Sequence, residues 1–235
     1  MMRCSPTAPE ASARPSLARR ALRRARAVGT DRAKRSVKLA VSTALYGVDA
    51  AIAAVRPAHR RGARACGVVL MYHDIPARCA TRFAGQCDDI VRFARPARLG
   101  DMHELDGTWK VAVTFDDGFR SFADVALPEL DARSIPSTMF VPTEWAERSA
   151  REPSDDGSPV PMTPDELAAL PASVELASHS CTHAHLPQLD DDSLADELVR
   201  SRHDLEHMTG RPVRYHAFPY GEHDARVDRA AQRAG

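Results

Sequence analysis

Residues 110–115, Lys-Val-Ala-Val-Thr-Phe, form a short apolar run that opens directly onto Asp116-Asp117-Gly118. A run of this length and composition reads as a buried strand. A buried strand that releases two adjacent carboxylates constrains the fold sharply. In folds that alternate strands and helices, the C-terminal end of a strand is where sites are built, because side chains there reach the mouth of a barrel or cleft. Adjacent residues on an extended segment point in different directions. One carboxylate can therefore bind a metal ion while its neighbour faces a substrate. A capping Asp-Asp-Gly turn ahead of a helix has the same local appearance.

Four further runs share this texture. Gly67 to Tyr72, Ser137 to Val141, Ser173 to Ala177 and Val213 to Phe218 are predicted strands. Helices fall between several of them. The clearest spans about 193–209, capped by Ser193, striped by Leu194, Leu198, Leu205 and Met208, and ended by Gly210 and Pro212. A last helix is expected from about Asp224 to Ala234, and Asp155 to Pro161 reads as a surface loop. Strands alternating with helices imply an α/β fold with a parallel sheet, open or closed into a barrel.

Three other strand ends carry polar groups. The fourth strand leads into Ser178-His179-Ser180-Cys181-Thr182-His183. Histidines at i and i+4 lie on one side of a helical turn, so both imidazoles reach one ion. Two His and one carboxylate, with positions left open for water, is the ligand set of catalytic zinc and of some iron(II) sites. The fifth strand ends in Phe218-Pro219-Tyr220-Gly221, a turn that exposes a backbone N–H suited to an oxyanion. The first ends in Met71-Tyr72-His73-Asp74, where His73 either lines the site or serves the fold.

Together these motifs resemble the polysaccharide deacetylase family, also called the NodB-homology domain or carbohydrate esterase family four, over residues 66–235. Thr114-Phe-Asp-Asp-Gly118 is similar to the family's first motif and His179-Ser-x-x-His183 to its second. Leu70-Met-Tyr-His-Asp-Ile75 and the Phe-Pro-Tyr-Gly turn look like the branch that acts on poly-N-acetylglucosamine and related cell-surface glycans. The resemblance implies a distorted (β/α)7 barrel of the glycoside hydrolase/deacetylase type. It implies that Asp117, His179 and His183 bind a divalent metal, usually zinc, that Asp116 is the general base, and that the Tyr220 N–H helps hold the oxyanion. His73, Phe218, Pro219 and Gly221 are the expected substrate contacts. The implied reaction removes acetyl groups from N-acetylhexosamines of a glycan and releases acetate. The implied partner is an acetylated glycan, not a nucleic acid. The alternative is a catalytically impaired fragment that keeps the metal and glycan-binding site.

The sequence departs from the family pattern twice. Ala217 stands where many members have an arginine that steadies the base. The family's last strand and its general-acid histidine have no counterpart before Gly235, so the barrel is expected to be incomplete at its C-terminal end.

Net charge is zero, but residues 1–65 hold 15 Lys or Arg against 3 Asp or Glu, while residues 66–235 hold 17 against 29. Residues 1–35 are expected to be a basic disordered tail, either merely solvated or touching anionic lipid or polymer. Residues 36–65 are expected to be a helix, to about Val55, and a basic linker. That helix either packs on the domain or lies on a membrane surface. Lys38 and Asp49 interrupt its apolar run, which falls short of the roughly 18 residues of a spanning segment. No clear cleavable signal peptide is visible. Five cysteines in no zinc-finger spacing read as buried apolar residues or free thiols, which favours a reducing compartment. The expected location is cytoplasmic or membrane-peripheral. Deleting residues 1–55 should leave the circular dichroism of the domain unchanged and weaken binding to anionic vesicles at low salt, where such attraction is strongest. A full-length chain that ignores those vesicles at low salt contradicts the membrane reading.

Overall fold

The computed structural model describes residues 67–103, 108–151 and 158–235. The expectations for the basic tail, the helix and linker before residue 66, and Asp155 to Gly157 of the surface loop lie outside the described residues. Among the described residues five strands form one parallel sheet: β1 (Gly67–Tyr72), β2 (Arg95–Pro96), β3 (Lys110–Phe115), β4 (Ser137–Val141) and β5 (Val174–Ser178). The order is β1-β3-β4-β5, with the short β2 also paired to β3. β4 is buried along its whole length and β3 nearly so. Strands of this kind need neighbours on both edges and cover on both faces, which is the usual state of a parallel strand.

The register sorts the side chains. Tyr72 pairs with Phe115, Phe115 with Met139, and Met139 with Leu176. Side chains alternate along each strand, so Tyr72, Val113, Phe115, Met139, Val141, Val174 and Leu176 share one face. That face packs on Phe83, Cys87 and Ile90 of α1 (Ala80–Phe93) and on Phe122 and Leu130. Phe122 belongs to a π-helical segment, Phe122–Ala126, that runs into α2 (Leu127–Asp131). The Phe115 ring lies 5.4 Å from Tyr72, 6.1 Å from Phe83 and 4.7 Å from Phe122. The opposite face carries Val69, Met71, Thr114 and Phe140, and it lines a cavity. Val69 and Met71 are 49% and 61% exposed.

The remaining α-helices among the described residues are α3 (Thr143–Arg151), α4 (Pro164–Ala168), α5 (Asp191–Thr209) and α6 (Ala225–Ala234). A capping box holds the start of α4, with Thr163 and Glu166 each bonded to the other's backbone. Glu166 also pairs with Arg120 at 2.8 Å, and Met162 N–H donates to the Gly118 carbonyl at 2.8 Å. Arg120 N–H also donates to the Val160 carbonyl at 2.8 Å, so the end of the expected surface loop braces the chain that follows β3. A second cluster, Leu186, Leu194, Leu198, Val227 and Ala230, joins α5 to α6. No helix among the described residues is long and apolar enough to cross a membrane.

Three expectations change. The strand predicted at Val213 to Phe218 is an extended segment with a single parallel bridge, Ser178 to His216. Only the end of β5 is offered to it, because Ser180 takes a left-handed φ of 65° and the Arg211 guanidinium occupies the Val174 carbonyl. The strand predicted at Ser173 to Ala177 sits one residue later. The helix predicted from Ser193 begins at Asp191 and is capped by Asp190, whose carboxylate accepts the Ser193 N–H at 2.7 Å. Gly210 ends it with φ 65°, as expected.

Phe115 has no exposed surface and stands at the centre of the aromatic cluster. Phe115→Ala should cost about 3–5 kcal/mol of unfolding free energy, read as a fall in the urea midpoint. A loss under about 1 kcal/mol contradicts this placement of the core.

Candidate metal centre

Hydrogen bonding continues one step past the strands and fixes where the site residues emerge. Asp116 N–H donates to the Tyr72 carbonyl at 2.9 Å, and His179 N–H donates to the Val141 carbonyl at 3.1 Å. β3 and β5 flank β4, so their backbones lie about 10 Å apart. Side chains leaning inward from both must meet above the end of β4. Asp117 turns toward that point with φ 71°, and Gly118 continues the turn with φ 64°. A left-handed φ is costly for most residues but tolerated by Asp, and natural for Gly.

Asp117, His179 and His183 each bring one ligand-type atom into a group within 4.8 Å of one another. Asp117 Oδ1 is 3.9 Å from His179 Nε2 and 3.6 Å from His183 Nε2. Ligand atoms on one ion with bonds of about 2.0–2.1 Å stand roughly 3–3.5 Å apart. The two carboxylate–imidazole spacings exceed this by a few tenths of an ångström, and the whole group, within 4.8 Å, closes inward to bind one ion. His179 donates from Nδ1 to the Ala217 carbonyl at 2.9 Å, which leaves Nε2 as the lone-pair atom. Burial pushes the His179 imidazole down to about 4 and lowers His183 as well. Both rings are then neutral near pH 7, the form that ligates. Asp117 Oδ1 is buried and has no hydrogen-bond partner among the described residues. An orphaned carboxylate oxygen facing two imidazole nitrogens suits a cation.

The two histidines do not converge by helical spacing. Residues 179–183 form a bent loop with left-handed φ at Ser180 (65°) and His183 (63°). Ser180 Oγ accepts the His183 N–H at 3.1 Å and closes the bend. The ring centroids end 4.7 Å apart. A short polar side chain that bonds its own backbone competes with helix formation, and here the Ser180 bond prevails.

Asp116 is buried beside this group. Burial raises its carboxyl to about 6, opposed by His73 and reinforced by the Asp117 charge. His73 Nε2 lies 3.8 Å from Asp116 Oδ2. Tyr220 adopts φ 60° and is 58% exposed. Its turn is closed by Gly221 N–H to Phe218 O and Glu222 N–H to Pro219 O, and neither bond uses the Tyr220 N–H.

A cavity of about 660 Å³ joins these parts. Of the sequence-predicted residues it is lined by His73, Asp116, Asp117, His179, His183, Phe218, Tyr220 and Gly221; Pro219 is buried and outside it. Its wall also holds Val69, Met71 and Ala217, the last at the position where many family members have an arginine, together with Leu99, Thr114 and Phe140, which sequence reasoning did not assign to the site. The period-2 alternation of β3 and β4 would have found Thr114 and Phe140, which share with Val69 and Met71 the face opposite the aromatic core. Sequence reasoning also missed Trp145, whose ring is 5.2 Å from His183, and His185, stacked on Tyr220 at 4.1 Å.

The description "polysaccharide deacetylase" belongs to a family model that matches residues 106–235. No curated protein matches the chain. Among solved structures, a Streptococcus pyogenes deacetylase, PplD, in complex with acetate is 19% identical, with TM-score 0.60 over 72% of this chain and 80% of that one. IcaB from Ammonifex degensii is 23% identical, with TM-score 0.59 over 73% and 81%. The BpsB deacetylase domain from Bordetella bronchiseptica is 24% identical, with TM-score 0.56 over 71% and 84%. At these identities the likeness is one of fold.

Proposed function

The chain belongs to the polysaccharide deacetylase family, hydrolases of amide carbon–nitrogen bonds, and on that premise we propose that it removes acetyl groups from N-acetylhexosamine residues of a glycan at a divalent-metal centre formed by Asp117, His179 and His183. The observation that carries this reading is the buried, unpartnered Asp117 Oδ1 faced by two histidine Nε2 atoms. Zinc is the ion whose preference for nitrogen and carboxylate ligands suits this set best. The PplD structure holds acetate, which is the product expected here.

When bound, such an ion supplies Lewis acidity toward the acyl oxygen and toward a water. The chain's own groups do the rest. Asp116 takes the proton of the attacking water at its carboxylate, and a pKa raised by burial suits that work near neutral pH. A 2+ charge beside it would draw that value back down. His73 steadies the carboxylate from 3.8 Å. The Tyr220 N–H donates to the oxygen that gains charge. Val69, Met71 and Leu99 form the apolar part of the wall and Phe218 flanks the turn. Water adds to the carbonyl carbon as its proton passes to Asp116, the carbon–nitrogen bond breaks as that proton passes on to the leaving nitrogen, and acetate and the free amine leave.

The two carboxylates should separate in experiment. Asp116→Asn should cut acetate release from N-acetylglucosamine oligomers by about a hundredfold to ten-thousandfold, with bound zinc retained. Asp117→Asn should lose the zinc itself. Elemental analysis and acetate release measured on both variants decide the matter, and equal zinc loss in both contradicts the division. Zinc and oligomer binding without acetate release from the unaltered chain would support the glycan-binding alternative instead.

A further inference from the structure

Helix α5 presents two polar groups on its buried side. Leu194, Leu198 and Leu205 are apolar and buried as expected, but Glu197 and Ser201, one helical turn apart, are buried with them. Both point at the loop that carries the two histidines. Glu197 Oε2 accepts the Cys181 N–H at 2.8 Å and the Thr182 N–H at 3.0 Å, and Glu197 Oε1 accepts the Thr182 hydroxyl at 2.7 Å. Ser201 Oγ lies 2.7 Å from Ser178 Oγ, just ahead of His179. The carbonyls of the same loop are held from the other side. Thr143 N–H and Glu144 N–H, at the start of α3, donate to Ser180 O at 3.3 Å and Cys181 O at 3.0 Å.

We propose that Glu197 is a positioning residue for the metal centre: its carboxylate fixes the Cys181-Thr182 turn so that the His179 and His183 Nε2 atoms face one point before any ion arrives. The inference rests on the metal-centre reading above. Its physical basis is the loop's own poor preference for this shape. Left-handed φ at Ser180 and His183 is a conformation that ordinary L-residues disfavour. A strained bend persists only where its surroundings hold it. Three hydrogen bonds to one buried carboxylate, made in a low-dielectric interior, supply that hold. Without them the loop relaxes, and the ion must order it on binding. Groups behind first ligands commonly change metal affinity by about tenfold to a hundredfold.

The test is the zinc dissociation constant, measured by competition with a chromophoric chelator on the full chain, beside the thermal unfolding midpoint of the metal-free form. Glu197→Ala should weaken zinc binding by about tenfold to a hundredfold. Glu197→Gln should restore most of it, because an amide oxygen still accepts both backbone N–H groups and the amide nitrogen donates to the Thr182 hydroxyl. Thr182→Val, which removes one bond of the three and leaves the carboxylate in place, should give a small loss, and it keeps the test open if Glu197→Ala does not fold. A folded Glu197→Ala chain that binds zinc within twofold of the unaltered chain overturns the positioning role. So does a Glu197→Gln chain as weak as Glu197→Ala. An unaltered chain that binds no zinc overturns the metal centre instead, and the two failures are distinct.

Discussion

The parallel register of β3, β4 and β5 is the constraint on which the rest of the chain depends. Because Phe115, Met139 and Leu176 stand level, Asp117 and His179 leave the sheet at nearly the same height on either side of β4. Strand spacing alone leaves their backbones too far apart to share an ion. The inward lean of two side chains closes the gap. The aromatic packing of Phe115 beneath the sheet therefore serves the chemistry above it, since a slip of one residue would send every site residue to the other face.

The backbone records where that convergence is forced. The described residues include five non-glycine positions with left-handed φ, and Asp117, Ser180, His183 and Tyr220 are four of them. All four belong to the candidate site. Unfavourable conformations collect where geometry is held for function and where surrounding bonds hold it. Here the holders are identifiable: the Gly118–Met162 bond behind Asp117, Glu197 and the start of α3 around the histidine loop, and the two backbone bonds that close the turn carrying Tyr220.

Much of this was legible in the sequence where local chemistry decides structure. β1, β3 and β4 are short apolar runs with sharp polar ends, and their observed bounds match the reading. Asp117, His179 and His183 were grouped by residue type and by resemblance, and they do meet. Where structure depends on a distant partner, the sequence was mute or misleading. Val213 to Phe218 has the texture of a strand, yet a strand is defined by its neighbour's hydrogen bonds, and β5 offers only its end. Asp190 and Ser193 are both good caps, and only the backbone shows that the first caps and the second donates. The histidine spacing pointed to convergence through a helical turn, whereas the Ser180 side chain makes the bend. Glu197 was not singled out, because nothing local says that a loop's N–H groups will reach it.

Asp117, His179 and His183 are proposed to hold one ion between them. Anomalous diffraction at the zinc absorption edge, from crystals of the zinc-loaded chain, tests it without reference to activity. A single strong peak is expected about 2.0–2.2 Å from His179 Nε2, His183 Nε2 and Asp117 Oδ1, with Asp116 outside bonding distance. A peak held by other groups, or one bonded to Asp116 in place of Asp117, would contradict it.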